Sequence, residues 1–180
     1  MPAYSRQTIA RYLKKADAAG TNDEKGDLFE NLVEYLFSKV PGVPQVRRNV
    51  TSVFRSEELD LVVSNDKHPN GLVSLNTWIP VECKTTRGPI GSHELQVFIA
   101  KIERRSLDFG ISIAWRGITG DAQLLTGAHD HASTALMKGI RIIVITRTDI
   151  EKLSSTEDLV GLIRTRLCDL FIKRSPLVLD

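Results

Sequence analysis

Cysteine is scarce in this chain, with only Cys83 and Cys168 among 180 residues. They lie far apart, and Cys83 sits inside an apolar strand pattern. Both facts argue against a disulfide framework and fit a reducing cytosol. An excess of one charge is lacking too: 24 basic and 22 acidic side chains leave a net charge of +2. The totals therefore announce no nucleic-acid binder and leave room only for a local basic groove. No apolar run reaches membrane-spanning length and no signal-peptide pattern is expected, so the sequence reads as a soluble, cytoplasmic protein with no membrane partner. Internal repeats, low-complexity segments and linkers are absent. So is a phosphate-cradling loop, because Gly117-Ile118-Thr119-Gly120 lacks the lysine and the spacing. A nucleophile elbow for serine chemistry is missing. His129 and His131, two apart on an expected helix, point in different directions and share no metal well. What remains is ordinary in composition, 42% hydrophobic and 26% charged, and long enough for one domain with a proper core over residues 1–180.

Two apolar runs carry charges that strands rarely hold. Glu57-Glu58-Leu59-Asp60-Leu61-Val62-Val63 and Trp78-Ile79-Pro80-Val81-Glu82-Cys83-Lys84-Thr85-Thr86 both read as buried strands. A carboxylate or ammonium there is costly unless it is paired or binds a metal. Period-two alternation puts Glu82 and Lys84 on one face and Val81, Cys83 and Thr85 on the other. Cys83 thus faces the apolar layer and is a poor nucleophile. An acid and a base on one strand, with Asp60 on a neighbour, is the layout of a metal-dependent phosphodiesterase. Glu57 and Glu58, at the strand entrance, read as solvated.

The surrounding elements follow from periodicity and caps. A helix over Ser5–Ala19 is stopped by Gly20, and a second, capped by Thr21 or Asn22, runs to Val40 before Pro41-Gly42. At 100° per residue Glu30 falls beside the apolar face of that helix, where spacing alone favours an ordinary solvated glutamate. Strands are expected over Val46–Phe54, Glu58–Ser64 and Leu72–Thr86, the last split or bulged around Asn76. Ser92 would cap a helix to about Leu107, with Leu95, Phe98, Ile99, Ile102 and Ser106 inside, Gln96 flanking them, and Lys101, Arg104 and Arg105 on solvated outer sides. His93 begins that helix, where a histidine is more often structural. Gly110–Trp115 is a strand. A helix capped by Thr119 and including Ala122, Leu124, Leu125 and Ala128 runs to Gly139. Ile140–Ile145 is a buried strand and Asp149–Leu153 a short helix. A Ser154/Glu157 capping box opens a last helix to Lys173, before a short apolar tail.

These pieces resemble the PD-(D/E)xK nuclease superfamily, and within it the Mrr-type restriction endonuclease catalytic domain. The resemblance is carried by Lys25-Gly26-Asp27-Leu28-Phe29-Glu30 on a helix, Asp60 on a strand and Glu82-Cys83-Lys84. Gly110-Ile111-Ser112-Ile113-Ala114 with Gly117–Ala122, and Gly139–Ile145 with Asp149–Leu153, complete it. Where the family often carries a Gly-rich Asp-x-Gly-x-Asp lead-in, this chain has Ser56-Glu57-Glu58-Leu59-Asp60. The resemblance implies an α/β fold, an α/β/α sandwich of restriction-endonuclease type. Its αβββαβ core (residues 21–153) would hold a central mixed sheet of about five strands, with extra N- and C-terminal helices in 1–20 and 154–180.

The resemblance also implies a function, hydrolysis of DNA phosphodiester bonds in restriction or defence. Asp60, Glu82 and the backbone carbonyl of Cys83 would hold Mg²⁺, with Mn²⁺ as a substitute. Lys84 would orient the attacking water, Glu30 would act as an outer ligand through water, and Gln96 would contact the site or the phosphate backbone. Specificity would come from a homodimer, a partner protein or an attached domain. Two other readings stand beside this one. One is a Holliday-junction resolvase or repair nuclease of the same fold. The other is a non-catalytic nucleic-acid-binding or assembly module, against which the intact Asp60, Glu82 and Lys84 argue.

Overall fold

The computed structural model describes residues 2–51, 57–86, 88–121 and 126–177. Its elements, in chain order, are α1 (Arg6–Asp17), α2 (Asn22–Ser38), β1 (Val46–Thr51), β2 (Glu58–Ser64), β3 (Trp78–Lys84), α3 (Ser92–Glu103), β4 (Phe109–Ala114), α4 (Ala128–Met137), β5 (Arg141–Thr146), α5 (Arg147–Lys152) and α6 (Thr156–Lys173). The strands form one sheet in the order β1-β2-β3-β4-β5. The first three are an antiparallel meander; β3, β4 and β5 run parallel. Parallel neighbours need long crossovers, and here α3 and α4 supply them.

Alternation sorts the sheet into two layers. Leu61, Val63, Ile79, Val81, Cys83, Ile111 and Ile143 pack with α1, α2 and α6. Ala114, Ile142 and Val144 pack with Leu95, Phe98 and Ile102 of α3 and the alanines of α4. The expected α/β/α sandwich with a five-stranded mixed sheet is therefore present. Leu59 and Val50 depart from this sorting, packing on the α3 side, whereas Leu61 packs on the α2 side. The change of face falls at Asp60 and at Asn49, which sit between the Arg48–Leu61 and Val50–Leu59 pairs, and Asn49 has φ 50°. Such a left-handed residue within a strand locally redirects the chain, and here it does so beside the Asp60 carboxylate.

Several expected boundaries move, each for a hydrogen-bonding reason. The stretch from Leu72 does not pair as strand before Trp78. Asn65, fully buried, donates its side-chain amide to the carbonyls of Leu72 (2.9 Å) and Asn76 (3.1 Å), holding this segment as a turn. Gly91, not Ser92, caps α3, and its N–H is taken by the Glu94 carboxylate. That helix ends at Glu103, and Ser106 has left it with φ 53°. Gly20 does not stop α1, which is capped by Ala18; its N–H donates to Glu24 of the next helix. Among the described residues Thr119 caps no helix: α4 starts after Gly127, while Ala122, Leu124 and Leu125 lie outside the described residues, as do 52–54 of the first expected strand. The last capping box is Ser155 with Asp158, one residue beyond the expected pair. The tail docks: Pro176 accepts from the Val144 N–H on the free edge of β5, and Leu177 is buried.

Gly110 is where α3 meets the sheet. A Cβ there would come within 2.3 Å of Ile102 Cδ1 and 2.9 Å of Phe98 Cζ. Gly110→Ala is therefore expected to destabilise the protein by about 1–3 kcal/mol through overpacking. Gly161, mid-helix in α6 with open space at its Cβ, should behave oppositely, Gly161→Ala adding about 0.5–1 kcal/mol. Urea titrations of both variants check the contrast, which fails if the two shift the midpoint in the same direction.

Candidate active site

The charged strand positions meet where β2 and β3 end their ladder. Pairing stops at Leu61 with Val81, and continuing that register sets Asp60 opposite Glu82. Asp60 Oδ2 accepts the Cys83 N–H at 2.7 Å. In extended backbone a residue's N–H and C=O share one side, so the Cys83 carbonyl projects toward the Asp60 side too. The Cys83 thiol lies in the apolar layer, its pKa pushed up by burial and by the nearby carboxylates.

Glu82 is almost fully buried and held by two ammonium groups. Lys84 Nζ lies 2.8 Å from Oε1, and Lys101 Nζ lies 2.9 Å from both oxygens. For Lys84, burial pulls the pKa down, but the attraction and hydrogen bond of Glu82 outweigh it and the net shift is upward. Lys84 is therefore a cation at all working pH. Asp60 stands in the opposite condition. Burial, then the like charge of Glu82, push its pKa up to about 6 against the Cys83 hydrogen bond and the pull of Lys84. Among the described residues no cation is ion-paired with it. A half-buried carboxylate so placed is short of positive charge.

Glu30 of α2 lies at the edge of this group. Its charge also raises the Asp60 pKa, but its carboxylate is taken by Arg48 of β1 at 2.9 Å, which bonds Asn31 and Asp27 as well. It is an ion-paired glutamate and not the solvated one that spacing favours. Gln96 is not brought to Glu82; it is exposed, with Nε2 3.1 Å from the ring nitrogens of His131. His93 is exposed in the first turn of α3. His129 and His131 do diverge, His129 being buried on Ser175.

Two readings of the basic helix face are overturned. Lys101 and Arg105 do not lie on a solvated outer side, whereas Arg104 stays exposed as expected. Lys101 reaches Glu82, while Arg104 and Arg105 pair with Glu57, which is itself mostly buried rather than solvated. The signal lay in the helix angle: Lys101 is three residues after Phe98 and one before Ile102, so its stem follows the edge of the apolar stripe.

The donor set bears on an ion. Among the described residues no three His, Cys, Asp or Glu side chains form a metal cage. Two carboxylates on neighbouring strands and a backbone carbonyl are hard oxygen donors, and one of the carboxylates lacks a counter-charge. That set fits a divalent ion that keeps several waters, such as Mg²⁺, better than a closed all-protein cage.

No curated protein sequence matches the chain. Among solved structures it resembles the small subunit of the heterodimeric restriction endonuclease R.BspD6I, with a TM-score of 0.52 at 11% identity, over 94% of this chain and 90% of that one. At that identity the likeness speaks for the fold alone. A family model described as restriction endonuclease, the Mrr catalytic domain, matches residues 22–153. That span holds α2, the whole sheet, and Asp60, Glu82, Lys84 and Lys101, so the chain belongs to the Mrr-type restriction endonuclease family.

Proposed function

We propose that this protein is a divalent-metal-dependent endonuclease that hydrolyses DNA phosphodiester bonds in a restriction or defence role. One observation carries the reading: a half-buried Asp60 carboxylate short of positive charge stands opposite Glu82, with the ammonium of Lys84 2.8 Å from Glu82. Buried charges used only as fasteners contribute little to stability, whereas the same three groups at a strand end suit phosphoryl chemistry. Asp60, Glu82 and the Cys83 carbonyl would hold Mg²⁺, or Mn²⁺ in its place. Such an ion, when bound, supplies Lewis acidity and a more acidic water. Lys84, held by Glu82, presents a fixed positive charge that orients the attacking water and stabilises negative charge as it develops on the phosphate. Glu30 positions Arg48 and adds negative charge near Asp60, consistent with an outer role through water.

We further assign residues 1–180 to one nuclease domain. Phosphate contacts position a duplex and base contacts specify it, and the site residues are of the first kind. Specificity then comes from another subunit or domain. The structural neighbour is one subunit of a heterodimeric enzyme, which supports a partner protein here, with a homodimer as the other arrangement. Incubating supercoiled plasmid and short duplexes with the protein in Mg²⁺, Mn²⁺ or EDTA tests the reading. Nicking or linearisation is expected with either metal and none with EDTA. Intact DNA in every metal, or cleavage that survives EDTA, refutes it.

A further inference from the structure

Lys101 is not one of the residues that the strand motif supplies, yet it makes the most complete contact with Glu82. Its ammonium bridges both carboxylate oxygens at 2.9 Å, and its side chain is only 14% exposed. With Lys84 on Oε1, three of the roughly four lone-pair positions of the Glu82 carboxylate are occupied. A divalent cation on Glu82 would have to share it with two ammonium groups. The two lysines differ in where they are rooted. Lys84 is rooted two residues away on the same strand, so its head stays near Glu82. Lys101 reaches across from α3 on a four-carbon stem with rotatable torsions, and the backbone carbonyl of its own residue is fixed by Arg105 at 2.9 Å. With its backbone held there, withdrawal of the ammonium is a matter of the side-chain torsions alone.

We propose that Lys101 is a positioning residue that occupies Glu82 as a resident counter-ion in the metal-free protein and swings off it when a divalent ion binds. Lys101 then presents its charge to the phosphate backbone of the DNA. This rests on the metal-site reading above. Its consequence is linkage: a DNA phosphate that attracts Lys101 vacates Glu82 and strengthens ion binding, and the ion reciprocally strengthens DNA binding. The nuclease loads its ion poorly until DNA is present.

The test uses DNA-free protein and Mn²⁺ alone, titrated calorimetrically and by the electron paramagnetic resonance of the free ion. Lys101→Met is expected to bind Mn²⁺ roughly 10- to 100-fold more tightly than wild type, as removal of a like charge at this range implies. Glu82→Gln should abolish binding. Lys101→Met binding Mn²⁺ no better than wild type, with Glu82→Gln still abolishing it, overturns the displacement while leaving the metal site standing. Binding unaffected by Glu82→Gln, or none in any protein, overturns both. Wild-type protein gives a second readout that needs no variant. Acetic anhydride labelling followed by mass spectrometry should find Lys101 protected without metal and severalfold more reactive with Mg²⁺. Unchanged Lys101 labelling at a metal concentration that saturates the protein refutes the displacement.

Discussion

Lys84→Ala is expected to lower the single-turnover rate of plasmid cleavage in Mg²⁺ by roughly 10²- to 10³-fold, the usual cost of losing one preorganised group aimed at developing charge. The strand geometry sets the size of the effect. Lys84 lies on the same face as Glu82, two residues on, and its ammonium is fixed at 2.8 Å from Oε1. Partial burial keeps water from screening that charge, and Glu82 holds it protonated. Lys101, though equally close to Glu82, comes from α3 rather than from the strand end and does not replace it. Fold loss is a poor explanation for such a drop. Lys84 is 30% exposed and removing it leaves Glu82 still bridged by Lys101, so urea stability should change little. Lys84→Arg should recover only part of the rate, because a planar guanidinium does not reproduce a point charge. A Lys84→Ala protein that cuts as fast as wild type would remove Lys84 from the chemistry. A rate loss matched by a collapse in stability would reassign it to structure.

The parts of this site that lie along one strand were legible in the sequence, because a period of two leaves little freedom. It put Glu82 with Lys84 and sent Cys83 to the apolar layer, and both hold. Apolar periodicity likewise gave the order of the strands and the helices between them. The failures came where a long or polar side chain chooses among tertiary partners. Lys101 and Arg105 have helix positions compatible with solvent or with the sheet, and only the presence of Glu82 and Glu57 decides between them. Asn65 lies just past the expected end of the second strand, yet its buried amide organises the segment up to Asn76 and shortens the next strand. Caps moved by one residue because neighbouring serines and acids offer equivalent hydrogen bonds. Ser154 and Ser155 both bond Asp158, and local sequence does not rank them. Glu30 illustrates the same limit from the other side: spacing gave its place beside the apolar face, but its Arg48 partner comes from a strand 18 residues later.

The second large effect is one of stability, and its sign runs against the usual expectation for a site residue. Asp60→Asn should make the metal-free protein more stable at pH 8, by on the order of 3 kcal/mol. Burial and the Glu82 charge raise the folded-state pKa of Asp60 to about 6, against about 4 in an unfolded chain. A raised pKa means that the folded state holds the proton more tightly. Its favourable contribution is complete below pH ~4 and is lost as pH rises through about 6. Asparagine keeps the neutral form at every pH and still offers an oxygen to the Cys83 N–H. The gain in melting temperature should be roughly 5–10 °C at pH 8 and should vanish near pH 4. Added Mg²⁺ should reverse the ranking, stabilising wild type by occupying the site while leaving Asp60→Asn unmoved. Thermal melts at pH 4 and pH 8, with and without Mg²⁺, read all four corners. A variant no more stable than wild type at pH 8, or a gain that persists at pH 4, would show that Asp60 carries no stored electrostatic cost. If the cost is there, the fold is keeping two like charges together in a partly buried place that two ammonium groups only partly neutralise. That is the condition under which a divalent ion gains most by entering.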